Sequence, residues 1–305
     1  MSAKFIIGID LGGTNLKAGL LDNNFIIKDK IVLGTKKFAD KKGLISAIIF
    51  AINSLIKDNK LTKKQVLGIG IGVPGPTNYQ KGIVHFLPNI PGWREVKLKT
   101  ILENKLNLHV RVDNDAKVMT LAEYKFGHAR NFKNVLCLTL GTGVGGGIII
   151  GGSLYRGQDN AAGEIGHLPL NEEGPRCNCG GIGCLEAYIG NAKILKLAKE
   201  KFGKDISLEE LSKLALKGNK ASCAVWSLVG RHLGVALSGL ITVLNLDAVI
   251  IGGGVAGAGK ILFDEVKNTI RKRSMSVQAA RAKIFKAKLA NDAGIIGAAI
   301  LVKEG

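Results

Sequence analysis

The chain has 305 residues, 46% of them hydrophobic, with 41 glycines and only 6 prolines. That length and apolar content exclude a disordered or low-complexity polymer and leave core enough for two ordinary domains or one large one. The formal net charge is +19, but the lysines are spread over most polar segments, as at Lys28, Lys30, Lys36 and Lys37, and aromatics make up only 5%. The charge therefore reads as a solvated basic surface, and no specific nucleic-acid partner is expected.

The apolar pattern predicts a strand over 5–10, the turn Gly12-Gly13-Thr14, a second strand over 16–21 and a third over 25–33. An amphipathic helix follows over 44–56, then a buried strand over 66–73 that stops at Pro74-Gly75-Pro76. A short strand over 108–112 ends at Asp113-Asn114-Asp115 and gives way to a helix over 116–126. The opening pattern then returns as a strand over 135–140, the turn Gly141-Thr142-Gly143 and a strand over 147–150. Aligning Gly12 with Gly141 suggests an internal duplication, the alternative being two unrelated hairpins. From Leu185 the chain reads as largely helical, interrupted by a strand over 246–251 and the turn Gly252-Gly253-Gly254, and a last helix is predicted over 294–303.

Glycines at strand ends let successive backbone N–H groups point into one concavity, which suits phosphate oxygens. None of the three glycine turns has the spacing of a P-loop or of a dinucleotide fingerprint, and each alone is equally a plain hairpin. Asp10 beside the first turn either caps it or holds Mg2+ through water. In Asp113-Asn114-Asp115, Asn114 or Asp115 either caps the following helix or supplies a carboxylate that accepts a hydroxyl proton.

The five cysteines are Cys137, Cys177, Cys179, Cys184 and Cys223. With no leader sequence and no apolar run of membrane-spanning length apparent, a cytoplasmic chain with reduced thiols and no membrane partner is expected. His167 with Cys177-x-Cys179-x4-Cys184 then reads as a closed tetrahedral zinc site, its loop eased by Gly180, Gly181 and Gly183. Cys137 and Cys223 read as core residues. Glu164 and Glu186 flank the zinc set and suit a neutral polyol, since carboxylates accept hydrogen bonds from hydroxyl pairs.

Along nearly its whole length the chain resembles the ROK family (repressors, open reading frames and kinases), most closely its glucokinase-like sugar kinases. The matching segments are Asp10-Leu-Gly-Gly-Thr14, Gly70-Ile-Gly-Val-Pro-Gly75, Asn114-Asp115-Ala116, Gly141-Thr-Gly-Val-Gly-Gly-Gly147, Gly163-Glu-Ile-Gly-His167, Cys177 through Glu186, and Ile251-Gly-Gly-Gly-Val255. The resemblance implies an α/β protein of the actin-like ATPase (ribonuclease H-like) fold, with two duplicated α/β lobes and a central cleft. The lobes would be 1–113, completed by the C-terminal helix 294–305, and 114–293, which holds the zinc.

It further implies transfer of the γ-phosphoryl group of ATP to the 6-hydroxyl of a hexose, with Asp115 as catalytic base. Gly75, Asn89, Asn114, Asp115, Glu164, His167 and Glu186 would bind the sugar, His167 with one ring nitrogen while the other ligates zinc. Asp10, Gly12, Gly13, Thr14, Asn15, Lys17, Gly141, Thr142 and Gly143 would hold Mg-ATP phosphates, and Gly253 and Gly254 would flank the adenosine. The implied cofactors are thus ATP, Mg2+ and Zn2+, and lobe closure over the sugar and a homodimer are further implications. Asp113 stands where many members carry glutamate, with no consequence expected. Pro88-Asn89-Ile90-Pro91-Gly92-Trp93 resembles the sugar loop of glucokinase-like members and favours glucose over fructose, mannose, allose or N-acetylated amino sugars. A repressor of the family carries a helix-turn-helix domain ahead of the first strand, where only Met1–Lys4 stand here. That role, like a non-catalytic sugar-binding one, is therefore the lesser expectation.

Overall fold

A computed structural model describes residues 4–35, 38, 40–87 and 90–304. The chain divides into two compact units. One takes the residues up to Phe126, Arg156–Ala162 and those from Asn291 on; the other takes Gly127–Tyr155 and Gly163–Ala290.

The first unit runs β1 (Phe5–Leu11), β2 (Asn15–Asp22), β3 (Ile27–Gly34), α1 (Lys41–Asp58), β4 (Val66–Val73), β5 (Thr77–Asn78), β6 (Ile83–Phe86), β7 (Arg94–Val96), α2 (Leu98–Leu106), β8 (Val110–Asn114) and α3 (Asp115–Phe126). Its main sheet has the order β3-β2-β1-β4-β8, antiparallel across the first three strands and parallel from β1 to β8. The second unit runs β9 (Val135–Leu140), β10 (Val144–Ile150), β11 (Ser153–Tyr155), α4 (Glu186–Ile189), α5 (Asn191–Phe202), α6 (Leu208–Leu216), α7 (Lys220–Leu244), β12 (Ala248–Gly252), α8 (Lys260–Arg273), α9 (Ser276–Arg281) and β13 (Lys283–Lys286). Its sheet order is β11-β10-β9-β12-β13, with the same antiparallel-then-parallel pattern. Two copies of one five-stranded plan, each opening on a strand-glycine turn-strand hairpin, are the actin-like ATPase architecture.

The central strands are apolar on both faces, as β1 shows with Ile6, Ile7 and Ile9 fully buried, because helices cover a mixed sheet on its faces. Helix α1 buries Leu44, Ile48, Ala51, Ile52 and Leu55 at helical spacing, and Asp40 caps it by accepting from the Gly43 N–H at 2.8 Å. Helix α10 (Ala293–Leu301) returns to the first unit and packs on β1, β4 and α3. It sits so close that a methyl group at Gly70 would overlap the Ala298 carbonyl, and one at Gly297 the Val118 carbonyl. Glycine on both sides of that contact is a steric requirement. Helix α3 packs against α10, and both belong to the first unit.

Some elements differ from expectation. Strand β3 starts at Ile27 instead of Phe25 because Phe25, at φ 63°, lies in a turn whose Asn24 and Ile26 N–H groups donate to Asp22 Oδ1. Strand β10 begins at Val144, its glycines pairing by backbone alone with β9, so no side-chain alternation marks it. The small sheet β5-β6-β7, α2 and β13 had no apolar run long enough to announce them. Helix α7, with 25 residues and mean hydropathy 1.5 over its most apolar window, is long and apolar enough to cross a membrane, contrary to the expectation that no such run exists. It buries Val225, Trp226, Val229, Leu233, Leu237 and Ile241 in the core of the second unit, and Arg231 and His232 interrupt it.

Candidate functional site

In the first unit, β8 carries Asp113 and Asn114 to its C-terminal end and α3 starts at Asp115. Asn114 caps α3: its Oδ1 accepts the N–H groups of Ala116 at 3.0 Å and Lys117 at 3.2 Å. Its Nδ2 donates to the Gly75 carbonyl at 3.2 Å. The predicted pair Gly75 and Asn114 is thus joined directly, with Gly75 at φ +85°, a conformation glycine adopts without strain. Asp115 Oδ1 accepts the Ala116 N–H at 2.8 Å. The cap is Asn114, which leaves the Asp115 side chain at the helix's first turn, half-buried. Asn89 lies outside the described residues.

At the same end of that sheet, where the parallel strands β1, β4 and β8 all finish, the turn Gly12-Gly13-Thr14 is closed by the Gly12 N–H donating to the Asn15 carbonyl at 2.8 Å, and Gly13 and Thr14 are exposed. Thr35 Oγ1 donates to the Gly13 carbonyl at 2.9 Å, fixing the turn from outside. Asp10 and Lys17, paired across β1 and β2, approach to 3.8 Å (Nζ to Oδ2), and Lys17 also donates to the Asn291 carbonyl at 3.4 Å. Burial pushes the Asp10 carboxyl above its usual range and Lys17 offsets part of that rise. A mostly buried carboxylate whose ionised form is penalised gains most from a nearby cation, which suits a Mg2+ partner.

In the second unit, Gly141-Thr142-Gly143 joins β9 to β10, and the Asn191 N–H donates to the Gly141 carbonyl at 3.0 Å. Glu186, first residue of α4, lies against this turn: its Oε2 accepts the Val144 N–H at 2.8 Å. Gly253, at φ +83°, sits where any side chain would strike the Leu140 backbone, so the turn after β12 lies beside the end of β9. The structure therefore brings Gly141, Thr142, Gly143, Gly253 and Glu186 together within one unit. Glu164 precedes and His167 ends a one-turn helix, Ile165–His167, seated on β10 through Gly166 and Gly163, the latter at φ +95°.

The four sulfur and imidazole donors converge. Cys177 Sγ is 3.7 Å from His167 Nδ1, Cys179 Sγ is 3.7 Å from Cys184 Sγ, and all four ligand atoms lie within 4.8 Å of one another. A tetrahedron with zinc–sulfur bonds of about 2.3 Å and a zinc–nitrogen bond of about 2.0 Å has edges of about 3.8 and 3.5 Å. The donor set fits a zinc ion and is too open for a disulfide. With Nδ1 in this cluster, Nε2 is the ring atom left for another partner. Burial pushes the Cys184 thiol up to about 12, with the Cys179 and Cys177 side chains adding to the rise, so three thiolates side by side call for a cation. The backbone loop is set by the Cys177 N–H to Gly181 carbonyl bond at 2.8 Å and by left-handed Gly180 and Gly183.

Sequence reasoning passed over Arg156 and Glu304 and expected no consequence of Asp113. Asp113 is fully buried, its Oδ2 accepting from Arg156 Nε at 2.9 Å, and Arg156 reaches Glu304 at 3.5 Å. The available signal was an acid at an inward position of a buried strand, which requires a cation.

The ROK family matches residues 6–305. The glucokinase of Halalkalibacterium halodurans is 34% identical over 323 residues, spanning 100% of this chain and 96% of that protein. The xylose repressor of Caldicellulosiruptor bescii is 32% identical, over 97% of this chain and 77% of the repressor. Among solved structures, a ROK family glucokinase from Streptomyces griseus in complex with glucose and AMPPNP superposes with a TM-score of 0.86 at 31% identity, covering 99% of this chain and 100% of that one. With the match running from the first strand through α10 and the duplicated sheet order in place, the chain belongs to the ROK family.

Proposed function

We propose that the chain is an ATP-dependent hexokinase that phosphorylates the 6-hydroxyl of a hexose, glucose foremost, with Asp115 as general base. The observation that carries the reading is the placement of Asn114 and Asp115: the asparagine joins the helix cap to the Gly75 carbonyl, and the adjoining carboxylate stands half-buried at the first turn of α3 with the Ala116 N–H on its Oδ1. The similarity to glucokinases at 34% and 31% identity supports it.

In this mechanism the sugar 6-oxygen attacks the γ-phosphorus of ATP, its proton passes to the Asp115 carboxylate, and the bond from phosphorus to the bridging oxygen breaks as ADP leaves. Asn114, Gly75, Glu164, His167 and Glu186 accept or donate hydrogen bonds to the sugar, with Asn89 assigned to the same set. The carboxylates take pairs of hydroxyl protons, which orients the ring so that the 6-oxygen is the one presented. Asp10, with Lys17 beside it, would hold Mg2+, which would supply positive charge to the phosphates. Gly13, Thr14, Asn15, Thr142 and Gly143 offer N–H and hydroxyl donors to phosphate, Gly12 and Gly141 close the two turns through their N–H bonds to the Asn15 and Gly143 carbonyls, and Gly253 and Gly254 leave room for adenosine. His167, Cys177, Cys179 and Cys184 would hold zinc, whose contribution is a rigid crosslink that fixes the loop between Glu164 and Glu186. Free thiols suit a reducing compartment such as the cytoplasm. A homodimer rests on the family resemblance alone, and sedimentation analysis tests it.

The repressor similarity favours a second reading, a sugar-binding protein without turnover. A coupled ADP-release assay across glucose, fructose, mannose, allose and N-acetylated amino sugars separates the two. Sugar-dependent ADP release with the phosphate on carbon 6 by NMR is expected; sugar binding without release under any donor overturns the kinase reading.

A further inference from the structure

We propose that Arg156 is a positioning residue for phosphoryl transfer, acting through the buried carboxylate of Asp113 to hold the Asn114-Asp115 pair; this rests on the kinase reading above. Asp113 has no solvent exposure, and its two oxygens face opposite tasks. Oδ2 accepts from Arg156 Nε at 2.9 Å, while Oδ1 accepts the Asn114 N–H at 2.8 Å and the Thr77 hydroxyl at 3.5 Å. The guanidinium, itself mostly buried, stacks on the Tyr79 ring at 3.8 Å from the centroid and reaches the Glu304 carboxylate. Arg156 is thereby fixed on three sides, and a planar, always charged fork is the group that can meet a carboxylate and an aromatic face together.

The same short segment grips the far side of the dipeptide. The buried Lys117, two residues after Asp115, donates its Nζ to the Asn160 carbonyl, and Asn160 donates to Gln80 at 2.8 Å. Residues 156–162, which belong to the first unit, therefore hold the 113–117 stretch at both ends. A base must stay within hydrogen-bond reach of the hydroxyl it deprotonates, so rotation of the dipeptide by a fraction of an ångström costs rate. Thr77 and Tyr79, from the chain after Gly75, complete the surround, so the one network also steadies the segment whose carbonyl Asn114 holds.

The test compares the parent with Arg156→Gln, Arg156→Lys and the double variant Asp113→Asn with Arg156→Gln, which removes the uncompensated buried charge. In Arg156→Gln, kcat is expected to fall at least about tenfold with the KM for Mg-ATP within about twofold of the parent; Arg156→Lys is expected to fall several-fold, and the double variant to recover melting temperature. A purely structural role predicts a lower melting temperature with kcat per folded molecule unchanged, and that result in any folded variant overturns the proposal. Where Arg156→Gln does not fold, Arg156→Lys and the double variant carry the same comparison. Amide hydrogen exchange supplies a readout independent of turnover: the Ala116 and Lys117 amides are expected to exchange faster in Arg156→Lys and in the double variant. If the parent phosphorylates no sugar, the kinase reading fails on its own, and unchanged exchange at those two amides overturns the brace separately.

Discussion

Gly143→Ala is expected to damage sugar binding as well as ATP binding, although it lies in a phosphate-type turn. A methyl carbon at this position would stand 2.5 Å from Glu186 Oε2 and 3.4 Å from its carboxyl carbon. Ordinary contact requires the oxygen to retreat by about 0.7 Å or more. The Val144 N–H to Oε2 bond, 2.8 Å long, would then stretch to about the limit of a hydrogen bond. A hydrogen bond to a charged group contributes about 1.5–3 kcal/mol. Moving the carboxylate off its sugar hydroxyls by the same amount therefore predicts a rise in sugar KM of about tenfold to about a hundredfold. Thr142→Ala is the control, because it alters the same turn without a group aimed at Glu186, and it should raise only the KM for Mg-ATP. Glu186→Gln should reproduce the sugar defect alone. The assay is steady-state ADP release with each substrate varied in turn. If Gly143→Ala raises the ATP KM and leaves the sugar KM unchanged in a folded protein, the coupling of the turn to Glu186 is refuted.

Asp115→Ala is expected to lower kcat by about 10²–10⁴-fold while glucose still binds by titration calorimetry; parent-like turnover would remove Asp115 from the role of base. Elemental analysis is expected to find about one zinc per chain, and Cys179→Ser to lose the metal and lower the melting temperature. A metal-free protein of undiminished stability would show that the His167 cluster holds nothing. The Asp10 carboxyl titrates above its ordinary value of 3.8 because burial outweighs Lys17. The folded chain then keeps a proton that the unfolded chain has already lost, so stability falls as pH rises through that interval and stays lower above it. Asp10→Asn is thus expected to hold or raise the melting temperature at pH 7 while raising the KM for Mg-ATP by about tenfold or more. A markedly lower melting temperature at neutral pH contradicts that sign.

Local punctuation made most of the fold legible. The turns at Gly12 and Gly141 lie between paired antiparallel strands, because each apolar run there is followed at once by glycines. The His167–Cys184 cluster was legible because its ligands fall within one short loop, where spacing alone restricts geometry. The Asp113–Arg156 pair was not, since its partners are 43 residues apart and Arg156 reads in sequence as one more basic surface residue. Helix α7 needs the structure for a related reason: it is long and apolar enough to cross a membrane, and it is the packing of Trp226, Leu233 and Leu237 in the core of the second unit that makes it a core helix.

The duplication extends to strand register, and a chemical asymmetry within it is informative. In the first unit Asp10 lies opposite Gly72 across the parallel β1–β4 pair; in the second, Thr139 lies opposite Gly252 across β9–β12. Aligning Gly12 with Gly141 makes Asp10 and Thr139 counterparts, so one copy presents a carboxylate where the other presents a hydroxyl. Acids gather at the strand ends of the first copy, as Asp10, Asp113 and Asp115, whereas β12 of the second ends in glycines. The shared glycines meet a shared need for close backbone approach, while the acids are confined to the copy whose proposed tasks are the metal and the proton. Asp113 fits this division only as a member already neutralised by Arg156. Its Oδ2 takes the guanidinium while its Oδ1 takes the Asn114 N–H, so in the proposed scheme this acid serves the dipeptide by orienting it and is not a second proton acceptor.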